Sequence, residues 1–164
     1  MPKKSNFIKG LYKYLSEDMT NKFDASIKFS MSENKKELFG SWLKKTETQH
    51  SFLTINFNDL SFIFAFNKGI LKTFGNIVCG IAENGVEERS EPNILDEFTV
   101  DLFSKSISKY LKENHFSSIS SSIENNATRL LSFADTDPVI NLNAAIKIEG
   151  AIIGEVQACA EIKV

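Results

Sequence analysis

The chain has 164 residues, a length typical of one domain, and its 42% hydrophobic and 24% charged residues are ordinary for a globular protein. The formal net charge of -2 at pH 7 provides no basic field for general nucleic-acid binding, and the apolar runs are too short to span a membrane. We therefore expect a protein that neither binds nucleic acid nor inserts into a membrane. Because no apolar stretch follows the basic start as in a secretory signal, we expect the protein in the cytoplasm.

Histidine and cysteine, the usual ligands of a structural zinc ion, are few. The two histidines and two cysteines, His50, His115, Cys79 and Cys159, lack the close spacing of a structural zinc site. The sequence contains neither a glycine-rich phosphate loop nor a Gly-x-Ser-x-Gly turn. We therefore expect no metal ion, no cofactor and no site for nucleophilic catalysis.

The first elements alternate between helical and strand periodicity. Apolar residues at helical spacing predict an amphipathic helix over 5–23, and strict alternation predicts a half-buried strand over 25–31. The polar stretch 33–50 contains only a few apolar residues, and it is interpreted as a short helix or a lid-like loop.

A β-hairpin is the clearest local signal. Two runs rich in strand-forming residues, 52–57 and 60–66, are separated by Asn58 and Asp59. Both of these residues tolerate the positive φ angles that a two-residue hairpin turn requires. The pattern therefore predicts two antiparallel strands joined by a tight turn.

Two helical segments follow, on either side of an acidic loop. Residues 69–79 and 94–112 have the apolar spacing of helices, and Phe98 is among the residues expected to face inward. Residues 82–92 contain four glutamates and an Asn–Gly turn. A solvated loop is the first interpretation of this segment, and a partner-binding loop is the alternative.

The C-terminal part is predicted to be rich in strands. The serine-rich stretch 117–122 is interpreted as an irregular strand or a loop, and residues 130–133 are interpreted as continuing a strand. Unbroken alternation over 140–148 and alternation over 156–164, with a turn at 149–150, predict a second long hairpin.

The two halves therefore follow one plan. Each begins with a helix and continues with three strands, the last two of which form a hairpin. This order predicts an α/β (α+β) fold, in which helices cover one face of a mostly antiparallel sheet and the helix-plus-three-strands unit is repeated about a pseudo-twofold axis.

The order of these elements resembles the CheC/CheX/FliM superfamily, either its CheX-like or its FliM middle-domain-like branch. Four segments carry the resemblance: Phe7–Met31, Phe64–Gly80, Ile94–Leu111 and Ile140–Val164. This superfamily comprises chemotaxis phosphatases, the middle domain of the flagellar switch protein and domains of type III secretion rings. The resemblance implies one domain over residues 1–164 that acts on a protein partner.

Phosphatase members of the superfamily carry a Glu-x-x-Asn pair on the long helix. Residues three apart share a helix face, so the amide can orient the attacking water while the acid anchors the partner. The nearest matches here are Asp101-x-x-Ser104, which lacks the amide, and Thr73-x-x-Asn76, which lacks the acid. In a phosphatase, the resemblance would assign the reaction to Asp101, Ser104 and Asn76.

The resemblance first implies a non-catalytic interaction domain that binds a response-regulator receiver or a motor or secretion ring component. The expected contacts lie on the acidic loop and the long helix: Glu83, Asn84, Glu87, Glu88, Asp101 and Lys105. Two alternatives stay open, an aspartyl-phosphate phosphatase of the CheX type and a carrier that holds a small ligand among its 14 phenylalanines. A homodimer is a further option.

Overall fold

The computed structural model describes residues 4–32, 35–46, 50–79, 94–126, 130 and 132–162. Four helices lie in this part of the chain: α1 (Lys4–Phe23), α2 (Phe39–Thr46), α3 (Lys68–Cys79) and α4 (Ile94–Glu113). The strands are β1 (Ile27–Met31), β2 (Lys35–Leu38), β3 (His50–Phe57), β4 (Leu60–Asn67), β5 (Ser120–Glu124), β6 (Pro138–Asn141), β7 (Ala144–Ile148) and β8 (Ala151–Glu161). None of the helices in these ranges is long and apolar enough to cross a bilayer.

Both predicted hairpins are confirmed, and their turns have the same design. Asn58 and Asp59 have φ angles of 47° and 63°, and Glu149 and Gly150 have φ angles of 51° and 82°. Two successive residues with positive φ match the right-handed twist of the flanking strands. The choice of Asn, Asp and Gly therefore sets the register of β3 with β4 and of β7 with β8.

The sheet confirms the predicted repeat. Its order is β1-β7-β8-β4-β3-β5, and every pairing between the described strands is antiparallel. Strands β1, β3 and β4 of the first unit correspond to β5, β7 and β8 of the second. When each strand is replaced by its counterpart, the same order is obtained from the opposite edge of the sheet. The pseudo-twofold axis therefore passes between the central strands β4 and β8, and α1 and α4 begin the two units.

Three helices cover one face of this sheet, as predicted. Alternate residues of β4, among them Phe62, Phe64 and Phe66, point into a large core beneath α1, α3 and α4. Leu11 of α1, Phe74 of α3 and Phe103 of α4 are buried in this core. Because burial of large apolar side chains is the main stabilising term in folding, this layer dominates the stability of the fold.

A smaller core lies on the opposite face of the sheet. Ile63 and Ala65, the intervening residues of β4, point to this face, where α2 covers them with Phe39 and Trp42. The stretch interpreted as a helix or a lid-like loop thus contains strand β2 and helix α2. Two further side chains, Leu130 and Phe133, pack on the same cluster.

Two sequence-based strand predictions are wrong. The alternation over 140–148 is broken between β6 and β7, because Asn143 lies outside both strands and binds Ser32, which directly follows β1, and Ala158 of β8. Its carbonyl accepts from Ser32 N–H at 2.8 Å, and its Oδ1 accepts from Ala158 N–H at 3.0 Å. The described residues of 130–133 form no strand, because Leu130 and Phe133 are used to cover the second core.

Candidate interaction site

Helix α4 presents a different outer face from the one predicted. Phe98 is 48% exposed, so the prediction that it faces inward is wrong, whereas Phe103 is buried. The ring of Phe103 lies 4.8 Å from that of Phe66 and 5.2 Å from that of Phe74. These contacts rotate the buried stripe away from Phe98.

The physical reason is the presence of hydroxyl residues on the buried face of α4. Ser104 Oγ donates to Ser121 Oγ of β5 at 2.9 Å, and Ser106 Oγ donates to Asp18 Oδ2 of α1 at 2.5 Å. Thr99 is buried on the same side. Because a hydroxyl with a hydrogen-bond partner is tolerated in the interior, these residues occupy positions that an apolar pattern assigns to the surface.

The outer face of α4 combines an apolar and a charged element. Lys105 Nζ lies 2.9 Å from Asp101 Oδ2 in an ion pair that is largely exposed. Phe98 and Leu102 lie one turn apart on the same side of the helix, since residues three or four apart are neighbours. We call Phe98, Asp101, Leu102 and Lys105 the α4 outer face. It contains both helix residues expected to contact a partner.

The structure separates the two members of the Asp101-x-x-Ser104 motif. Asp101 faces solvent, whereas Ser104 is only 4% exposed and its hydroxyl is used in the bond to Ser121. A group that orients a water in a partner's active site has to reach that site. The geometry therefore gives Ser104 a structural role between α4 and β5.

Asn76 on α3 is also inaccessible. It is 7% exposed, and its Nδ2 has no hydrogen-bond partner among the described residues. Thr73, three residues earlier, donates its hydroxyl to the carbonyl of Gly69 at 2.8 Å. In the described part of the chain, no hydrogen bond joins Asn76 to Asp101 or Ser104.

The four expected contacts on the acidic loop, Glu83, Asn84, Glu87 and Glu88, lie outside the described residues. Within the described ranges, no three His, Cys, Asp or Glu side chains are grouped closely enough to hold a metal ion. Cys159 is buried, and burial together with the nearby Glu37 carboxylate raises the pKa of its thiol. A thiol in this setting is a poor nucleophile.

The phenylalanine-rich part of the main core is tightly packed. The rings of Phe57 and Phe62 stack at 5.5 Å, and Phe116 meets Phe7 edge-on at 5.3 Å. The gap lined by Phe7, Phe57, Phe62 and Phe64, together with Leu11 and Ile107, leaves no space for even a water molecule. At this place the core cannot hold a ligand without rearrangement.

The comparisons with known proteins show similarity of fold. No protein-family model and no curated protein matches the sequence. Among solved structures, the FliM middle domain from H. pylori matches with a TM-score of 0.77 and 14% identity over 96% of this chain and 89% of that one. The FliG–FliM complex from H. pylori matches with a TM-score of 0.76 and 13% identity, over 99% of this chain and 95% of that one.

A chemotaxis protein CheX from Desulfovibrio desulfuricans matches with a TM-score of 0.50 and 12% identity, over 94% of this chain and 97% of that one. The chain therefore shares its fold with the FliM middle domain and CheX, as its order of elements indicated. Of the two branches, the FliM middle domain superposes more closely, since the TM-scores are 0.77 and 0.50.

Proposed function

We propose that the chain is a non-catalytic protein-interaction domain of a flagellar-switch, chemotaxis or type III secretion assembly. Its partner would be a receiver domain or a ring component. The observation that carries this proposal is the likeness, over 99% of the chain, to a structure of FliM in complex with FliG. The chain matches this structure over nearly its whole length, and its phosphatase pair is incomplete. Both observations favour binding over catalysis as the function.

The α4 outer face is the proposed contact surface. Phe98 exposes 48% of its surface on a rigid helix, next to the Asp101–Lys105 ion pair. Exposed aromatic side chains with a charged rim are typical of residues that contribute most to binding energy. The loop residues Glu83, Asn84, Glu87 and Glu88 are proposed to extend this surface, since the loop directly precedes α4 in the chain.

The phosphatase alternative finds less support in the geometry. It requires a carboxylate and a water-orienting group on one accessible face, and Ser104 is buried against β5. The carrier alternative requires a phenylalanine-lined cavity, and the core is filled where Phe7, Phe57 and Phe62 meet.

The first experiment identifies the partner. The tagged chain is purified from its own cells under mild crosslinking, and the attached proteins are identified by mass spectrometry. Recovery of a ring component or a receiver supports the proposal, and recovery of neither contradicts it. A receiver that is recovered is then phosphorylated, and Mg²⁺-dependent phosphate release is measured. Faster release that is lost in Asp101→Ala would establish the phosphatase instead.

A second experiment tests the surface with the recovered partner. We expect Phe98→Ala to weaken binding by about fivefold or more, because truncation of a central aromatic contact residue costs more than about 1 kcal/mol. Ile152→Ala is the matched control, since Ile152 on β8 is 69% exposed and lies outside the α4 outer face. Equal affinities of both variants in calorimetric titration would exclude the α4 outer face as the contact.

We also propose that residues 1–164 form one domain that works in the cytoplasm. Its two halves are joined by direct contacts, such as the 2.6 Å hydrogen bond from Tyr12 Oη to the carbonyl of Leu142. One cooperative unfolding transition by circular dichroism and by tryptophan fluorescence is expected. Two separate transitions would contradict a single domain.

A further inference from the structure

The outer edge of strand β1 is covered by two hydroxyl groups of α1. Ser16 Oγ accepts from Phe29 N–H at 2.8 Å, and Thr20 Oγ1 accepts from Ile27 N–H at 3.0 Å. One turn of α1 thus matches two residues of β1, with the helix running antiparallel to the strand. The match is geometric, since a helical turn rises about 5.4 Å and two strand residues rise about 6.6 Å.

No hydroxyl that the structure describes in α1 binds the backbone of Met31 in the same way. The next position along α1 is Tyr12, whose hydroxyl instead donates to the carbonyl of Leu142 at 2.6 Å. Residues 27, 29 and 31 alternate with the residues of β1 that bond to β7, so the N–H and C=O of Met31 point away from β7. Among the described residues nothing bonds to these two groups, so this part of the chain leaves the edge of β1 open at Met31.

The open edge faces a positively charged groove between α1 and β1. Lys9, Lys13 and Lys28 line this groove together with one acidic residue, Glu17, and the apolar side chains of Phe29 and Met31. Three positive charges and one negative charge leave a surplus of two positive charges. Among the described residues, none of these three lysines has an ion-pair partner.

We propose that this α1–β1 groove binds an extended acidic peptide of a partner protein, which adds to β1 at Met31. Strand addition supplies backbone hydrogen bonds, and alternate side chains supply specificity. Lys9 and Lys13 lie one helical turn apart, about the spacing of alternate side chains on a strand, so acidic residues at two alternate positions can pair with them. The groove involves none of the residues of the α4 outer face, so the inference does not depend on the proposed function.

The probe is a fluorescein-labelled peptide of eight residues in which Glu and Val alternate, and binding is followed by fluorescence anisotropy. Saturable binding that weakens as salt is raised is expected, because screening reduces attraction between exposed charges. The chain has a net charge of -2, so attraction of an acidic peptide requires a local basic site. Absence of binding, or equal binding of a peptide in which Lys and Val alternate, would overturn the inference.

Two variants with the same change in charge localise the site. Lys9→Glu with Lys13→Glu is expected to weaken binding by about tenfold or more, because like charges across an interface are strongly unfavourable. The control is the double variant Lys36→Glu/Lys44→Glu, which makes the same change in charge on exposed residues of β2 and α2. We expect this variant to bind the peptide with unchanged affinity. Equal loss in both pairs would show that attraction is general, which overturns the site.

A peptide with N-methyl groups on alternate backbone nitrogens tests strand addition. The two possible sets of alternate nitrogens are methylated in two separate peptides. Methylation of the set that faces β1 removes the N–H groups that would bind it, so we expect that peptide to bind at least about tenfold more weakly than the unmethylated peptide. Unchanged affinity of both methylated peptides would overturn pairing with β1. Circular dichroism of each protein variant confirms that the fold is retained, so a loss of binding is not a loss of structure.

Discussion

Ser106 of α4 donates a 2.5 Å hydrogen bond to Asp18 Oδ2 of α1, across 88 residues of sequence. Lys22 Nζ lies 3.0 Å from the same oxygen. Partial burial by itself raises the pKa of Asp18, but the hydrogen bonds from Ser106 and Lys22 outweigh it, and the pKa is lowered. The pair joins the helices that begin the two repeats, and Ser106 is buried between them.

Replacing Ser106 with Ala should therefore destabilise the fold. Loss of a hydrogen bond to a charged group typically lowers the free energy of unfolding by about 1–3 kcal/mol. Urea denaturation at pH 7 measures this value. The control is Asp101→Asn, which removes an exposed ion pair on α4 and should change stability by no more than about 0.5 kcal/mol. Equal effects of the two substitutions would contradict the role assigned to Ser106.

The contribution of Asp18 should depend on pH. Because the folded-state pKa of Asp18 lies below its ordinary value of 3.8, the folded state binds its proton less readily than the unfolded state. The stabilisation is present above that ordinary value and is lost as pH falls through the lowered folded-state pKa. The stability difference between wild type and Asp18→Asn should shrink as the pH falls from about 5 through 3.8 and below. A constant difference over this range would contradict the assignment.

Gly154 allows α3 to approach β8 closely. A Cβ atom at this position would lie 3.0 Å from Ile70 Cγ1 and 3.2 Å from Ile70 Cδ1. We expect Gly154→Ala to destabilise the fold by at least about 1–3 kcal/mol, the usual range for overpacking, because the φ of 157° at this position adds backbone strain. The effect of this substitution should be smaller in an Ile70→Ala background, which removes both atoms. Additive effects in this double-mutant cycle would show that the contact is not the cause.

Gly10 has a similar role where α1 meets α4. A Cβ atom there would lie 2.6 Å from Tyr110 Oη, whose hydroxyl donates to the carbonyl of Phe7 at 3.2 Å. In a Tyr110→Phe background, Gly10→Ala should stabilise the fold by about 0.5–1 kcal/mol through helix propensity. In the wild type, the displaced hydroxyl should cancel or reverse this gain. Thermal unfolding of the four proteins measures the coupling, and its absence would contradict the contact.

Glu37 of β2 links this strand to α2 and β6. Its side chain is only 9% exposed, and its carboxylate accepts from Lys45 Nζ at 3.1 Å and from Asn141 Nδ2 at 2.8 Å. Glu37→Ala leaves the buried Asn141 amide without this partner, so we expect a loss of about 2–4 kcal/mol. Lys45→Ala removes the more exposed partner and should have a smaller effect in the same urea titration. A larger loss in Lys45→Ala would contradict this account.

Local pattern alone was sufficient for the three longer helices and for both hairpins. The Asn58–Asp59 turn, the alternation of β4 and the apolar spacing of α1 each depend on neighbours within a few residues, so their physics is contained in a short stretch of sequence. Because the same order recurs in both halves, the repeat and the resemblance to a superfamily could also be predicted.

Tertiary structure decided which side of an element is buried and where a pattern is interrupted. Phe98 is exposed because Ser104 and Ser106 find partners on β5 and α1, and no local pattern contains those partners. The alternation over 140–148 continues through Asn143 in the sequence but not in the sheet, because Ser32 and Ala158, which are distant in sequence, bind Asn143. A buried hydroxyl or amide is stable only when its partner is in place, and contacts distant in sequence decide whether it is.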